Sequence, residues 1–243
     1  MIAPGDRVLV GLSGGKDSSF LLYALATLRE HAPFAFDLAA ATIDPMFDEP
    51  FPSDRLVGLC RDLDIPFHLE RLPVAEAAFA PGTQNPCPRC AYFRRGALNG
   101  IAWREGYNRL ALAHHHDDAV ETFLMSILYS GQIKTFGPTT PQDDGLMVIR
   151  PLIYLREAQI RAAYRFFAFE PIKSPCPLDG KSMRQTVKDQ IRALTHQNRT
   201  VYDNLSAAMR VAPGRIELWP PELSKDEMHV RYLETFRTKG ELR

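Results

Sequence analysis

The chain carries no net charge, because 29 basic side chains meet 29 acidic ones among its 243 residues. It therefore lacks the overall positive field that advertises a nucleic-acid binder. No apolar run approaches the roughly 20 residues of a membrane span. The N-terminus, Met-Ile-Ala-Pro-Gly-Asp, has neither the basic nor the apolar region of a secretion signal. Internal repeats and low-complexity tracts are absent. These absences set the expectation of a cytoplasmic, globular protein with no membrane partner. Cysteine is scarce, with four in all. In a cytoplasmic chain, so few thiols point to metal or catalysis before disulfides.

What is present is unevenly spread. Residues 1–85 hold 6 basic and 12 acidic side chains, residues 86–180 hold 11 and 9, and residues 181–243 hold 12 and 8. Basic character thus gathers in the C-terminal two-thirds. The 45% apolar and 24% charged content is that of a globular domain. The length suits one large α/β domain with an appendage, or two small domains. We expect a catalytic domain over residues 1–180 and a helical extension over 181–243.

The pattern alternates strand and helix. Residues 7–11 read as a buried strand, and the apolar run after Asp17 as a buried helix. Phe36 to Ile43 is a second strand, Leu56 to Leu63 a helix face, and Ile65 to Leu69 a third strand. A Pro-, Ala- and Gly-rich loop over 71–86 leads to Cys87-Pro-Arg-Cys90 and a helix from Ala91 to Glu105. Arg109 onward is a fourth strand, then His114-His115-His116-Asp117-Asp118 opens another helix. Met147 to Leu152 is a fifth strand, and Arg156 to Phe169 a helix. Two further helices follow Lys181, with a break at Trp219-Pro-Pro and a charged tail. This rhythm predicts an α/β fold: a parallel five-stranded sheet with helices on both faces.

The candidate chemistry lies at the carboxyl ends of the strands, where such sheets bind ligands. Ser13-Gly14-Gly15-Lys16-Asp17-Ser18 joins the first strand to its helix. Its glycines let backbone approach an anion, its amides face one, and Lys16 adds charge. It is neither a Walker A loop nor a dinucleotide fingerprint. Thr42 and Asp44 end the second strand, His114 and His115 the fourth, and Arg150 the fifth. One crevice can gather them. Asp117 or Asp118 can position Mg²⁺ or take a proton, although one of them can equally cap its helix. The three consecutive histidines leave a strand in alternate directions and cannot readily share one metal.

Cys60 falls on an apolar helix face and reads as a small buried hydrophobe. Cys87 and Cys90 form a C-x-x-C pair, and Cys176, in a proline-flanked loop, is the natural third partner. Three thiolates can hold three irons of a 4Fe-4S cluster and leave the fourth iron open. Zn²⁺ with an outside ligand, or a cysteine pair carrying persulfide, are the rivals. The residues alone leave iron–sulfur and zinc open.

Ser13 to Ser18 resembles the PP-loop of the ATP pyrophosphatases, which grip the pyrophosphate of ATP and adenylate a substrate. The resemblance extends over about residues 5–180 to the tRNA 2-thiocytidine synthetase branch. It is carried by Gly5-Asp-Arg-Val, Cys87-x-x-Cys-x-x-x-Arg-Arg-Gly96, His114-His-x-Asp-Asp118, Tyr129-x-Gly131, Asp143-Asp-Gly145, Val148-Ile-Arg-Pro-Leu152, Arg156-Glu157 and Pro175-Cys176. It implies adenylation of a cytidine, at position 32 of tRNA, followed by sulfur insertion. It also implies ATP, Mg²⁺ and a 4Fe-4S cluster on Cys87, Cys90 and Cys176. Lys16, Asp117, Asp118, Cys87 and Cys90 become the expected catalytic set. The implied partners are tRNA, a sulfur donor such as a cysteine desulfurase, and a second copy in a homodimer. Asp179 stands where relatives often carry a further cysteine, and Ala113 where a glycine is usual. Two other readings stay open: lysidine-synthase-like chemistry with an amine nucleophile, and a non-catalytic nucleotide-binding or sulfur-relay partner.

Overall fold

The computed structural model describes residues 1–142 and 145–210. Asp143, Asp144, the Trp219 break and the charged tail lie outside the described residues. Six strands, β1 (Arg7–Gly11), β2 (Asp37–Asp44), β3 (Phe67–Arg71), β4 (Arg109–Ala111), β5 (Thr139–Pro141) and β6 (Met147–Ile149), form one sheet. Their order is β3-β2-β1-β4-β6-β5. Neighbours run parallel except β5, which pairs antiparallel with β6. The chain winds outward from β1 to β3 and then resumes on the other side of β1 with β4. That reversal opens a crevice at the carboxyl ends of β1 and β4.

Eight helices complete the described residues: α1 (Lys16–His31), α2 (Ser53–Asp62), α3 (Val74–Ala78), α4 (Pro86–Arg104), α5 (His116–Ser130), α6 (Glu157–Tyr164), α7 (Met183–Gln197) and α8 (Val201–Ala208). Alternate residues of a strand face opposite ways. Val8 and Val10 of β1 therefore pack with Leu21, Leu22 and Leu25 of α1, Leu56 and Leu59 of α2, and Ile160 of α6. Leu9 turns the other way, to Val74 of α3 and Ile101 and Ala102 of α4. Both sheet faces are thus covered, which is why β1 reads as an unbroken apolar run. Leu21 is fully buried, and cutting it to Ala would cost about 2–5 kcal/mol. A third cluster joins Val120 of α5 to Val187 and Ile191 of α7 and Tyr202 of α8. The last two described helices thus rest on α5. No helix among the described residues is long and apolar enough to cross a membrane.

Three expectations need correction. The sheet has six strands rather than five, and it is not wholly parallel. The extra edge strand, Thr139–Pro141, is three residues long and ends in proline, too short to show a period. The 71–86 segment contains α3, a single short turn of helix. The helix expected from Ala91 starts at Pro86, with Asn85 before it. Proline suits the first helical position, because its missing N–H is unpaired there in any case. Cys87 and Cys90 therefore stand on the first turn of α4, not in a loop.

Candidate functional site

The loop between β1 and α1 is braced from within. Gly14 sits at φ +82°, a conformation that side chains resist, and a Cβ there would meet Ile172 Cδ1 at 2.9 Å. The Ile172 N–H donates to the Gly14 carbonyl at 2.8 Å, so the 165–182 segment clamps the loop. Ser18 Oγ donates to the Gly15 carbonyl at 3.1 Å and lies 3.0 Å from Ser13 Oγ. Gly15 caps α1 without a side chain, so the first-turn amides of α1 remain available to an anion.

Lys16 turns toward α6. Its ammonium lies 2.9 Å from Asp17 Oδ1 and 2.9 Å from Glu157 Oε1. Glu157 also binds Lys188 of α7 at 2.7 Å and Arg161 at 3.0 Å. Burial pulls the Lys16 pKa down, but the hydrogen bonds and charges of Asp17 and Glu157 outweigh it and raise the ammonium above its ordinary value. Burial likewise pushes Glu157 up, yet Lys188 and Lys16 hold its carboxyl well below the usual range. One carboxylate thus joins the loop lysine to the C-terminal helices.

A cavity of about 350 Å³ opens beside the loop. Ser13, Gly15, Asp17 and Ser18 form one wall, and Ala41 and Ile43 another. Arg94, Arg95 and Leu98 of α4 close a third side, and His114 and Asp118 complete it. The first glycine–serine expectations therefore meet in one place with part of the histidine–aspartate turn. Thr42 and Asp44 do not line it. Thr42 is buried and its hydroxyl donates to the Leu12 carbonyl, tying β2 to β1. Asp44 accepts from the Met46 N–H at 3.0 Å and pairs with Arg71 at 3.6 Å. In a strand, a shift of one residue changes the face, so Ala41 and Ile43 line the cavity instead.

The three histidines diverge. His114 packs on Phe136 with ring centres 5.0 Å apart. Burial pushes its pKa down to about 4, which keeps the ring neutral at physiological pH, and its buried Nδ1 has no hydrogen-bond partner among the described residues. His115 caps α5: its Nδ1 accepts from the Asp118 N–H at 3.3 Å, while its own N–H donates to Asp118 Oδ2 at 2.9 Å. His116 Nδ1 meets the Tyr202 hydroxyl at 2.6 Å. The cap is thus a histidine rather than either aspartate.

The two aspartates also part. Asp118 faces the cavity beside the loop. Asp117 is gripped by Arg156 at 3.1 Å and accepts the Glu157 N–H at 2.8 Å. It borders a second cavity, of about 430 Å³, between α5 and α6–α8. Arg150 is buried and donates to the Gly137 carbonyl and Thr140 Oγ1, each at 2.9 Å. It lies over Phe136 at 4.8 Å, behind the ring that carries His114. Its role in this geometry is to hold that wall.

Cys87, Cys90 and Cys176 are free and half-buried. Two cysteines three apart share one side of a helix. Burial raises the Cys90 thiol above its ordinary value, Arg94 opposes this, and the charges of Cys176 and Cys87 add to it. The three sulfurs are therefore near enough to feel one another. Among the described residues, no three Cys, His, Asp or Glu side chains converge as on a single metal ion. A cluster asks for something different, one thiolate on each of three irons, and three free, half-buried thiols, two of them one turn apart on α4, are the donor type it needs. Cys60 is buried and its thiol is pushed up to about 12 by desolvation, as a small core hydrophobe would be.

Arg94 was legible in the sequence without a role. It borders the cavity and also acts on Cys90, which makes it the side chain shared by the loop end and the cysteine end.

The doubly covered parallel sheet, the strand-to-helix phosphate loop and the cavity at the switch point define a nucleotide-binding α/β protein. The sequence model of the PP-loop domain matches residues 3–192, and the chain belongs to that family. Within it, the chain is 36% identical over 223 residues to the tRNA-cytidine(32) 2-sulfurtransferase of Herminiimonas arsenicoxydans, covering 89% of this chain and 69% of that protein. It is 36% identical over 224 residues to the enzyme of the same name from Anaeromyxobacter dehalogenans strain 2CP-C, covering 89% and 76%. In solved structures, the fold matches the U34-tRNA thiolase NcsA of Methanococcus maripaludis with its [4Fe-4S] cluster. The TM-score is 0.70 at 22% identity, over 95% of this chain and 82% of that one.

Proposed function

We propose that the chain is an ATP-dependent tRNA thiolation enzyme that converts a cytidine, at position 32, to 2-thiocytidine. The observation that carries the reading is that Ala91 and Arg94, the next residue and the next turn of α4 after Cys90, line the cavity beside the phosphate loop. The similarity to the 2-sulfurtransferases supports the same substrate.

In this reading the cytidine O2 attacks the α-phosphate of ATP, pyrophosphate leaves, and the base is adenylated at that oxygen. Sulfur at the sulfide level, the donor's persulfide sulfur having first taken two electrons from a thiol reductant, then attacks C2, and AMP departs with the oxygen. The α1 amides, Ser13 and Ser18 hold the β- and γ-phosphates. Lys16 moves from Glu157 and Asp17 to the charge that grows on the leaving pyrophosphate. Asp118 faces the cavity and would hold Mg²⁺, which would neutralise phosphate charge. Asp117 fixes α5 to α6 through Arg156 and so keeps Asp118 and His114 in place. Neutral His114 offers the base an uncharged hydrogen-bonding ring. Arg94 holds negative charge between the nucleotide and the thiols.

Cys87, Cys90 and Cys176 would hold a 4Fe-4S cluster, and the chemistry it would supply when bound is delivery of sulfur. A sulfur donor such as a cysteine desulfurase completes the cycle, and a homodimer is the expected assembly. The test is anaerobic preparation with iron and sulfide supplied. We expect about four irons per chain and a brown, oxygen-sensitive protein. A chain that binds zinc alone, or no metal, overturns the reading.

A further inference from the structure

The fold leaves one face of α4 uncovered. From Pro86 to Gly100 the helix has no fully buried residue; only Ile101 and Ala102, near its end, are buried. Tyr92 is 73% exposed and Trp103 is 75% exposed. Arg89, Tyr92, Gly96 and Trp103 follow one another at steps of three, four and seven, so they share one side. At 1.5 Å per residue, the two large rings stand roughly 16 Å apart along the axis. A Cβ at Gly96 would meet nothing within 4 Å, so the surface between the rings is open.

Charge on this helix is of one sign. The sequence of α4 holds four arginines and no carboxylate. Arg104 is neutralised by Glu70 and Glu105. Arg89 makes only a neutral bond, to Thr83 Oγ1, and Arg89, Arg94 and Arg95 have no ion pair among the described residues. Arg95, which flanks this face, also lines the nucleotide cavity, so the exposed face borders the cavity side of the same helix through that arginine.

We propose that this face docks the single-stranded loop of the RNA substrate, with Tyr92 and Trp103 stacking on bases and Arg89 and Arg95 meeting phosphates. The proposal rests on the tRNA reading given above. Flat exposed rings interleaved with unpaired arginines are the combination that single-stranded nucleic acid selects, because every base has a face to stack and every phosphate a charge. A second copy fits poorly. Two such helices brought together would oppose like charges with no carboxylate between them.

The test compares tRNA binding by filter retention, and ATP binding by calorimetry, for the full chain and three variants. Tyr92→Ala and Trp103→Ala should each weaken tRNA by roughly fivefold or more. Tyr92→Phe should bind within about twofold of the parent, since the ring and not the hydroxyl stacks. ATP affinity should be unchanged in all three, which also reports that they fold. Alanine variants that bind tRNA as the parent does overturn the proposal. So does a parent dimer that Trp103→Ala dissociates while tRNA binding stays constant, which makes the face a self-interface. A parent chain that binds no tRNA overturns both this proposal and the functional reading beneath it.

Discussion

The loop end and the cysteine end of the site are built in opposite ways. Around Ser13–Ser18, Val8, Leu9, Val10, Leu12, Ser18, Ser19, Leu21 and Leu22 are all buried. Close packing and the Ile172 clamp therefore set the loop before any nucleotide arrives. The thiols stand on the exposed first turn of α4 and on the 173–182 loop, each half-buried. Cys90 packs against the core cluster under α4, while Cys87 and Cys176 join none among the described residues, so a group bound by all three would add to their order. The difference teaches that the chain can keep its nucleotide site when the thiol site is lost.

Replacing Cys87, Cys90 or Cys176 by Ser is the strongest test of that asymmetry. Thiolation should fall by more than about 100-fold, since even residues that only support metal ligands cost 10–100-fold. ATP affinity should stay within about twofold. A parallel loss of ATP binding would break the comparison.

Gly14→Ala should damage the rigid end. The left-handed backbone and the approach of Ile172 Cδ1 at 2.9 Å leave no room for a Cβ. Strain of this kind costs about 1–3 kcal/mol, readable by urea unfolding, together with a loss of ATP affinity. Full stability with normal ATP binding would show that the loop is softer than its packing implies.

Glu157→Gln should raise kcat/KM for ATP severalfold, because Lys16 then leaves a weaker bond on its way to the pyrophosphate. It should also change the acid limb of stability. The folded Glu157 pKa lies below its ordinary 4.5. Its support is therefore complete above about 4.5 and is lost as pH falls toward the folded value. The variant should lose less stability than the parent over that range, measured by thermal melts from pH 5 to pH 3.

His114→Gln should give the smallest effect. The folded ring titrates near 4 and the unfolded one near 6.5. Between those values the unfolded chain takes the proton first, so the parent loses stability as pH falls through that window. The variant should have a flatter profile there, and NMR should place the His114 titration near pH 4. A ring that titrates at 6.5 would mean that the cavity wall is wetter than its burial indicates.

The motifs were legible wherever local chemistry fixes position. Ser13–Ser18 sits between a strand and a helix, as its glycines and the apolar runs on either side require. Cys60 is in the core because it shares a face with Leu56 and Leu59. Tertiary partners decided the rest. Asp117 and Asp118 look alike in sequence, and Arg156, 39 residues away in the chain, together with the Glu157 N–H, draws Asp117 out of the nucleotide cavity. Thr42 and Asp44 were misplaced by one step of strand alternation. The Glu157 bridge between Lys16 and Lys188 joins three distant segments, and nothing in local spacing announces it. β5 owes its existence to β6, since Thr-Thr-Pro alone carries no strand signal.

The central claim is that one chain activates a tRNA base with ATP and replaces the activated oxygen with sulfur. Anaerobic turnover of the iron-loaded protein with ATP, Mg²⁺, unmodified tRNA and a labelled sulfur source tests it most directly. The account predicts labelled 2-thiocytidine at position 32, with one pyrophosphate and one AMP released for each sulfur inserted. Pyrophosphate release from the loaded protein with no sulfur entering the tRNA would contradict it.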